Sequence, residues 1–242
     1  MKVINLNSKF ELTQAQISFA ESVIICGEDE PIRADDSISI LMNKIPIFLV
    51  DKPTQKEFET GDLFGFYQHS SKILGATTPV IGLCIENIIE CAKNEDELII
   101  LIAIVLIHEF AHAKMRKHPN SNYSKPHEFY DWMEEPMANS ITLEYFRKYD
   151  RGSSLRRIKL ASVTPSIDPF NFVKDFISHQ PDNYRLGLDL YEHGVGQWWM
   201  WRNNKNNIEK KVKEKQDWLI YTKNNVGKCD HYILNEIFNA FF

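Results

Sequence analysis

Two histidines four residues apart, with a glutamate directly after the first, are the residues of this 242-residue chain best suited to chemistry. They are His108, Glu109 and His112. On a helix, residues four apart project from one face, so both imidazoles can bind a single zinc ion. Glu109 lies about 100° around the helix from His108, where it can reach a water on the metal without binding the metal itself. The spacing therefore predicts a zinc site with Glu109 as its general base.

The segment that carries these residues is predicted to be a helix from Asn94 to about Pro119. Asn94 is a suitable N-cap, and Glu97 three residues later completes a capping box. Ten consecutive apolar residues, Leu98 to Ile107, lead to the histidines. A helix that is apolar all round must be buried, and this apolar run is shorter than the about 20 apolar residues that are needed to span a bilayer. Since burying two imidazoles and a carboxylate is costly unless they are paired or metal-bound, a metal site is favoured over a chance match.

A third protein ligand completes a catalytic zinc site, and the sequence offers three candidates. One candidate is Glu135, which precedes Asn139 by one helical turn. Glu134 is a substitute, because it lies on the more apolar face of the same predicted helix. His118 follows His112 at the spacing of the pattern H-E-x-x-H-x-x-G-x-x-H, but a methionine replaces the glycine that turns the chain there. On a continuing helix His118 would face away from the metal.

These residues resemble a known family. The H-E-x-x-H motif is that of zincin metallopeptidases. Glu135, with Ala138 and Asn139 three and four residues later, is similar to the E-x-x-A-[DN] helix of their Glu-ligand (gluzincin-type) subgroup, which includes the ImmA/IrrE-like and M48-like peptidases. The resemblance covers roughly residues 40 to 147. It implies a zinc metallopeptidase in which Glu109 is the general base on a zinc-bound water. It also implies that Glu135 is the third ligand, which is the candidate we favour, and that Asn139 orients a zinc-binding histidine through a hydrogen bond.

Two expectations about activity depend on this resemblance. Related enzymes use a further donor, usually Tyr, His or Arg, to stabilise the oxyanion, and we place Tyr130 and His193 first among the candidates. The alternative function is a zincin-fold regulatory or binding protein with little or no general protease activity. The intact Glu109 argues against an inactive protein, since such a protein has no need of the base.

The fold class expected is α+β. A small mixed β-sheet should pack on the buried active-site helix, as in zincins, with a mostly helical lobe after it. The catalytic core is predicted for residues 1–150 and the helical lobe, packing on it, for residues 151–242. Helices are expected over residues 10–26 and 88–92, and strands at Ile38 to Met42, Ile45 to Val50, Leu63 to Tyr67 and Pro79 to Ile85. By resemblance, the segment 64–69 or the segment 80–85 is an edge strand that binds extended peptide.

Composition restricts the partners. The net charge is -5, and 43% of residues are hydrophobic while 25% are charged, which is ordinary for a soluble globular protein. No basic patch predicts nucleic-acid binding, and neither a signal peptide nor a membrane-spanning segment is visible. We therefore expect a cytoplasmic protein that acts on a peptide or protein substrate, with no nucleic acid or membrane partner.

Overall fold

The computed structural model describes residues 1–6, 9–28, 38–51, 63–116, 128–151 and 164–192. These ranges form one four-stranded sheet and seven helices with mixed α and β content, as predicted. In chain order the elements are β1 (Val3–Asn5), α1 (Gln14–Gly27), α2 (Ile38–Lys44), β2 (Ile47–Val50), β3 (Gly65–Gln68), β4 (Val80–Cys84), α3 (Ile85–Cys91), α4 (Glu95–Arg116), α5 (Glu128–Arg151), α6 (Pro169–Ser178) and α7 (Asp182–Glu192).

The sheet is mixed, and its strand order is β1-β2-β4-β3. The first three strands in that order are parallel, while β3 pairs antiparallel with β4. Strands β2 and β4 are buried along their whole length, which explains their unbroken apolar sequences. Because β4 lies between two neighbours, the prediction that segment 80–85 forms a peptide-binding edge is wrong. Strand β3 is an edge of the described sheet.

The predicted strand from Ile38 to Met42 is also wrong, because this segment forms helix α2. The three residues Ile38, Leu41 and Met42 are buried, while Ser39 is only half-buried. Burial at the first, fourth and fifth positions is the helical period, and a short apolar run fits either structure until its neighbours are known. Strand β1 was not predicted. It has only three residues, and its pairing with β2 gives it the extended conformation.

Helix α4 is the buried helix that the sequence predicts. The Asn94 side chain accepts a hydrogen bond from the Glu97 amide at 2.9 Å, so the predicted N-cap is confirmed. The Glu97 carboxylate accepts from the Lys93 amide at 2.9 Å, so the second bond of the capping box falls one residue earlier than predicted. Helix α4 packs against β3, β4, α1, α2 and α5, which places its apolar run at the centre of the core.

Helix α5 brings the second half of the site to α4. It begins at Glu128, so Pro136 lies inside it and removes one backbone donor. Helices α6 and α7 both pack on α5. The boundary predicted at residue 150 stays a prediction, and so does the helical lobe beyond residue 192, which lies outside the described residues. No helix in the described part of the chain is long and apolar enough to cross a membrane.

Candidate metal centre

The two imidazoles of α4 meet a carboxylate of α5. The Nε2 atoms of His108 and His112 are 3.0 Å apart. Glu135 places Oε2 at 2.9 Å from His108 Nε2 and Oε1 at 3.4 Å from His112 Nε2. One ligand atom from each of the three residues lies within 4.8 Å of the other two. The structure therefore brings together the three residues favoured as ligands from the sequence.

The Nδ1 atom of each imidazole, on the opposite side of the ring from Nε2, also has a hydrogen-bond partner. His108 Nδ1 lies 2.9 Å from Asn139 Oδ1, and the Asn139 amide nitrogen donates to the Tyr184 carbonyl at 3.0 Å. Because that amide nitrogen is already used, Oδ1 is the acceptor that faces His108. His112 Nδ1 lies 2.7 Å from Glu134 Oε1. An acceptor at each Nδ1 fixes the ring proton there and leaves Nε2 to act as a ligand, the usual arrangement of zinc-binding histidines.

This arrangement favours a positive charge at its centre. With both ring protons on Nδ1, the two Nε2 lone pairs and the Glu135 oxygens all face one point, where they repel one another. Two imidazole nitrogens and a carboxylate oxygen are the protein ligands of one class of catalytic zinc site. The donor set therefore fits zinc, and the orientation of both rings supports the fit.

The pKa values of the same groups show how the site behaves with a proton instead of a metal. Burial alone would lower the pKa of His112, but Glu135 and Glu134 outweigh it and raise that pKa well above its ordinary value. Burial alone would raise the pKa of Glu135, but the charge on His112 and hydrogen bonds from both imidazoles hold it well below its ordinary value. In the absence of metal, an imidazolium therefore supplies the positive charge.

Glu109 lies beside the start of the edge strand. A Cβ atom added to Gly65 would be 2.5 Å from Val105 Cγ1 and 3.1 Å from Glu109 Oε1, so only a glycine lets the β3 backbone approach this closely. The Glu109 side chain is buried. Burial raises its pKa, and the opposing charges on His112 and His108 do not cancel the effect. A carboxylate with a raised pKa is suited to accept a proton and return it near neutral pH.

The remaining sequence candidates fall in different places. Glu134, the substitute ligand, contacts the far nitrogen of His112, so it orients that ring and does not face the shared point. His118 and His193 lie outside the described residues, and so does the side chain of Tyr130. Their proposed roles stay predictions.

Sequence reasoning missed Tyr184 on α7. Its side chain is half-buried, and burial followed by the charges of Glu135 and Glu109 raises its pKa to about 12. It lies 45 residues beyond Asn139, on a helix with no chemical motif. The one available signal is Gly187, a glycine inside a helical pattern, which indicates close approach of another backbone.

Comparison of the chain with protein-family models, with curated proteins and with solved structures finds no match. The functional assignment therefore depends on the chemistry of the residues described above.

Proposed function

We propose that this protein is a zinc-dependent metallopeptidase of the Glu-ligand zincin type. The observation that carries the proposal is the convergence of His108 Nε2, His112 Nε2 and the Glu135 carboxylate, with the buried acid Glu109 one residue after His108. The small mixed sheet beside the histidine-bearing helix supports a zincin-like arrangement. The zincin fold and the peptidase activity are both part of the proposal.

His108, His112 and Glu135 would hold the metal, and Asn139 and Glu134 would keep the two rings in place. Bound zinc would act as a Lewis acid on the substrate carbonyl and would lower the pKa of a water toward about 7. Three protein ligands would leave zinc one further ligand position, which that water would take.

Glu109 moves the proton. It accepts a proton from the attacking water as the water oxygen bonds to the carbonyl carbon of the peptide. It then gives the same proton to the amide nitrogen as the C–N bond breaks, so the amine leaves neutral and Glu109 returns to its carboxylate form. The raised pKa of Glu109 supports both steps, because a weakly acidic carboxyl holds the proton long enough to deliver it.

An extended peptide is the substrate that the surroundings favour. Strand β3 is bonded to β4 along one side, and among the described strands it has no neighbour on the other. The backbone of Gly65, at the start of β3, lies against Glu109. A peptide that added a strand to this edge would bring its own backbone close to the acid.

The first test is metal content and cleavage. Protein purified without added zinc should contain about one equivalent of zinc per chain, measured by elemental mass spectrometry. It should also cleave components of a defined peptide mixture. Glu109→Gln should keep the zinc and lose about 100-fold or more of the cleavage rate, the contribution expected of a general base.

Glu90→Gln is the matched control, since it makes the same change of charge at an exposed position on α3. It should leave cleavage unchanged. Zinc-free, stable wild-type protein would overturn the proposal. One equivalent of zinc without cleavage of any peptide would replace it with the alternative of a zinc-holding regulatory or binding protein.

A further inference from the structure

The start of helix α7 is fixed to the metal centre by two sets of contacts. The first set is made by Asn139. Its Oδ1 faces His108 Nδ1 at 2.9 Å, and its amide nitrogen donates to the Tyr184 carbonyl at 3.0 Å. One turn later, a Cβ on Gly187 would be 2.5 Å from Asn139 Cβ and 2.9 Å from the Pro136 carbonyl oxygen. The backbones of α7 and α5 therefore touch, and the position of Tyr184 is set relative to His108.

The charges of two carboxylates of the site, Glu135 and Glu109, reach the Tyr184 side chain. It is half-buried, so it lies neither in the core nor fully in solvent. Glu135 is the carboxylate of the ligand cluster and Glu109 is the proposed base, and the charges of both act on the phenol. Since burial and these charges raise the pKa of Tyr184 to about 12, the hydroxyl keeps its proton at neutral pH and remains a hydrogen-bond donor.

We infer that Tyr184 is a further catalytic residue, which donates a hydrogen bond from its phenol to the carbonyl oxygen of the scissile peptide. This inference rests on the proposed peptidase function. It gives the oxyanion role to a residue of α7 that is tied through Asn139 to a metal ligand. Such a residue is positioned before substrate arrives, which is what makes a donor effective in the transition state.

The hydrogen bond acts on charge that develops during the reaction. As the water oxygen bonds to the carbonyl carbon, the carbonyl π electrons move onto the oxygen, and Tyr184 donates to that oxygen while keeping its own proton. When the C–N bond breaks, the electron pair returns and the C=O bond reforms. Because the donor contacts the transition state more strongly than the substrate, its removal should lower kcat and not raise KM.

The direct test is Tyr184→Phe, which removes one hydroxyl. On the peptide that the wild type cleaves best, we expect kcat to fall about 100-fold, with KM within about threefold and zinc content unchanged. Tyr191→Phe is the matched control. Tyr191 is a half-buried residue of the same helix, and its ring packs on Phe170 with centroids 5.8 Å apart. Its loss of a hydroxyl should leave kcat within about twofold.

A second measurement separates an oxyanion donor from a structural role. Two inhibitors built on the same peptide are titrated into zinc-loaded protein: a phosphonamidate, whose tetrahedral P–O⁻ resembles the oxyanion, and a mercaptoacyl peptide, which has no such oxygen. Tyr184→Phe should weaken the first about 100-fold and the second by less than about threefold. Equal weakening of both, or of neither, would overturn the inference.

The role of Tyr184 and the peptidase function are contradicted by different results. If the wild type cleaves peptides and Tyr184→Phe cleaves them equally fast, the role of Tyr184 is wrong and the peptidase proposal stands. If the zinc-loaded wild type cleaves nothing and binds neither inhibitor, the peptidase proposal is wrong and the role of Tyr184 is overturned with it.

Discussion

The Nε2 atoms of His108 and His112 lie 3.0 Å apart, and the other nitrogen of each ring also has a hydrogen-bond partner. Asn139 holds the far nitrogen of His108 at 2.9 Å, and Glu134 holds that of His112 at 2.7 Å. Two neutral imidazoles would be repelled at this separation, since each would point a lone pair at the other. The site is therefore suited to hold a cation, which is zinc in the proposed enzyme and a proton on an imidazole when zinc is absent.

Zinc affinity should consequently rise with pH. In the metal-free protein the pKa of His112 is well above its ordinary value, so the ring is protonated near neutral pH and zinc must displace that proton. Below this raised pKa, affinity should increase by about tenfold per pH unit, with about one proton released per zinc. Competition against a chromophoric chelator measures the affinity, and calorimetry in buffers of different ionisation enthalpy counts the proton. An affinity that is independent of pH would contradict the prediction.

The clustering of His108, His112 and Glu135 could be predicted because it depends on the spacing of residues within two helices. The spacing of His108 and His112 fixes their shared face on any helix, and Glu135 with Asn139 one turn later repeats the same geometry on a second helix. Spacing alone could not predict which of the two adjacent carboxylates, Glu134 or Glu135, faces the histidines' Nε2 atoms. Whether Glu134 or Glu135 faces the shared point depends on the rotation of α5 against α4, and that rotation is set by packing.

The other differences also arise from tertiary contacts. Tyr184 lies near the site because α7 packs closely on α5 at Gly187, and Tyr184 is 45 residues from its hydrogen-bond partner Asn139 in the sequence. Segment Ile38–Lys44 is too short for its apolar pattern to distinguish helix from strand, and its helical form is decided by the core that it contacts. Short segments and long-range contacts are the parts of this fold that one sequence does not determine.

The two adjacent glutamates should differ sharply on substitution. Glu135→Ala removes a proposed ligand and should abolish stoichiometric zinc binding. Glu134→Gln keeps an oxygen that can accept from His112 Nδ1 but loses the charge, so zinc affinity should fall only about 10- to 100-fold. Competition titrations of both variants, with Glu90→Gln as the control for a lost charge, measure the difference. If Glu134→Gln abolished binding while Glu135→Ala kept it, the two assignments would have to be exchanged.

Asn139→Asp should separate the metal site from the docking of α7. The new carboxylate can still accept from His108 Nδ1, so zinc binding should be retained. It has no N–H to donate to the Tyr184 carbonyl, and two oxygens would then face each other where the structure has a 3.0 Å hydrogen bond. We expect a loss of about 1–3 kcal/mol in the free energy of unfolding, the usual result of leaving a partly buried acceptor without its donor.

Denaturant titration measures that loss, and hydrogen exchange should show faster exchange of the α7 amides. Asn139→Leu is the comparison, because it removes both hydrogen bonds and should reduce zinc affinity as well. An Asn139→Asp variant as stable as the wild type would show that the hydrogen bond from the Asn139 side-chain amide to the Tyr184 carbonyl does not hold α7 in place.

Gly65→Ala tests the close approach of the edge strand to the base. The added methyl would lie 2.5 Å from Val105 Cγ1 and 3.1 Å from Glu109 Oε1, so β3 or α4 has to move. Such overpacking typically costs about 1–3 kcal/mol of stability. A displaced Glu109 should also lower the cleavage rate.

The atom nearest to the added methyl is Val105 Cγ1. Val105→Ala should therefore recover part of the loss when the two changes are combined. A double-mutant cycle of unfolding free energies, with cleavage rates on the same four proteins, measures this coupling. Strictly additive effects would mean that Gly65 and Val105 do not constrain each other, and the contact between β3 and Glu109 would lose its explanation.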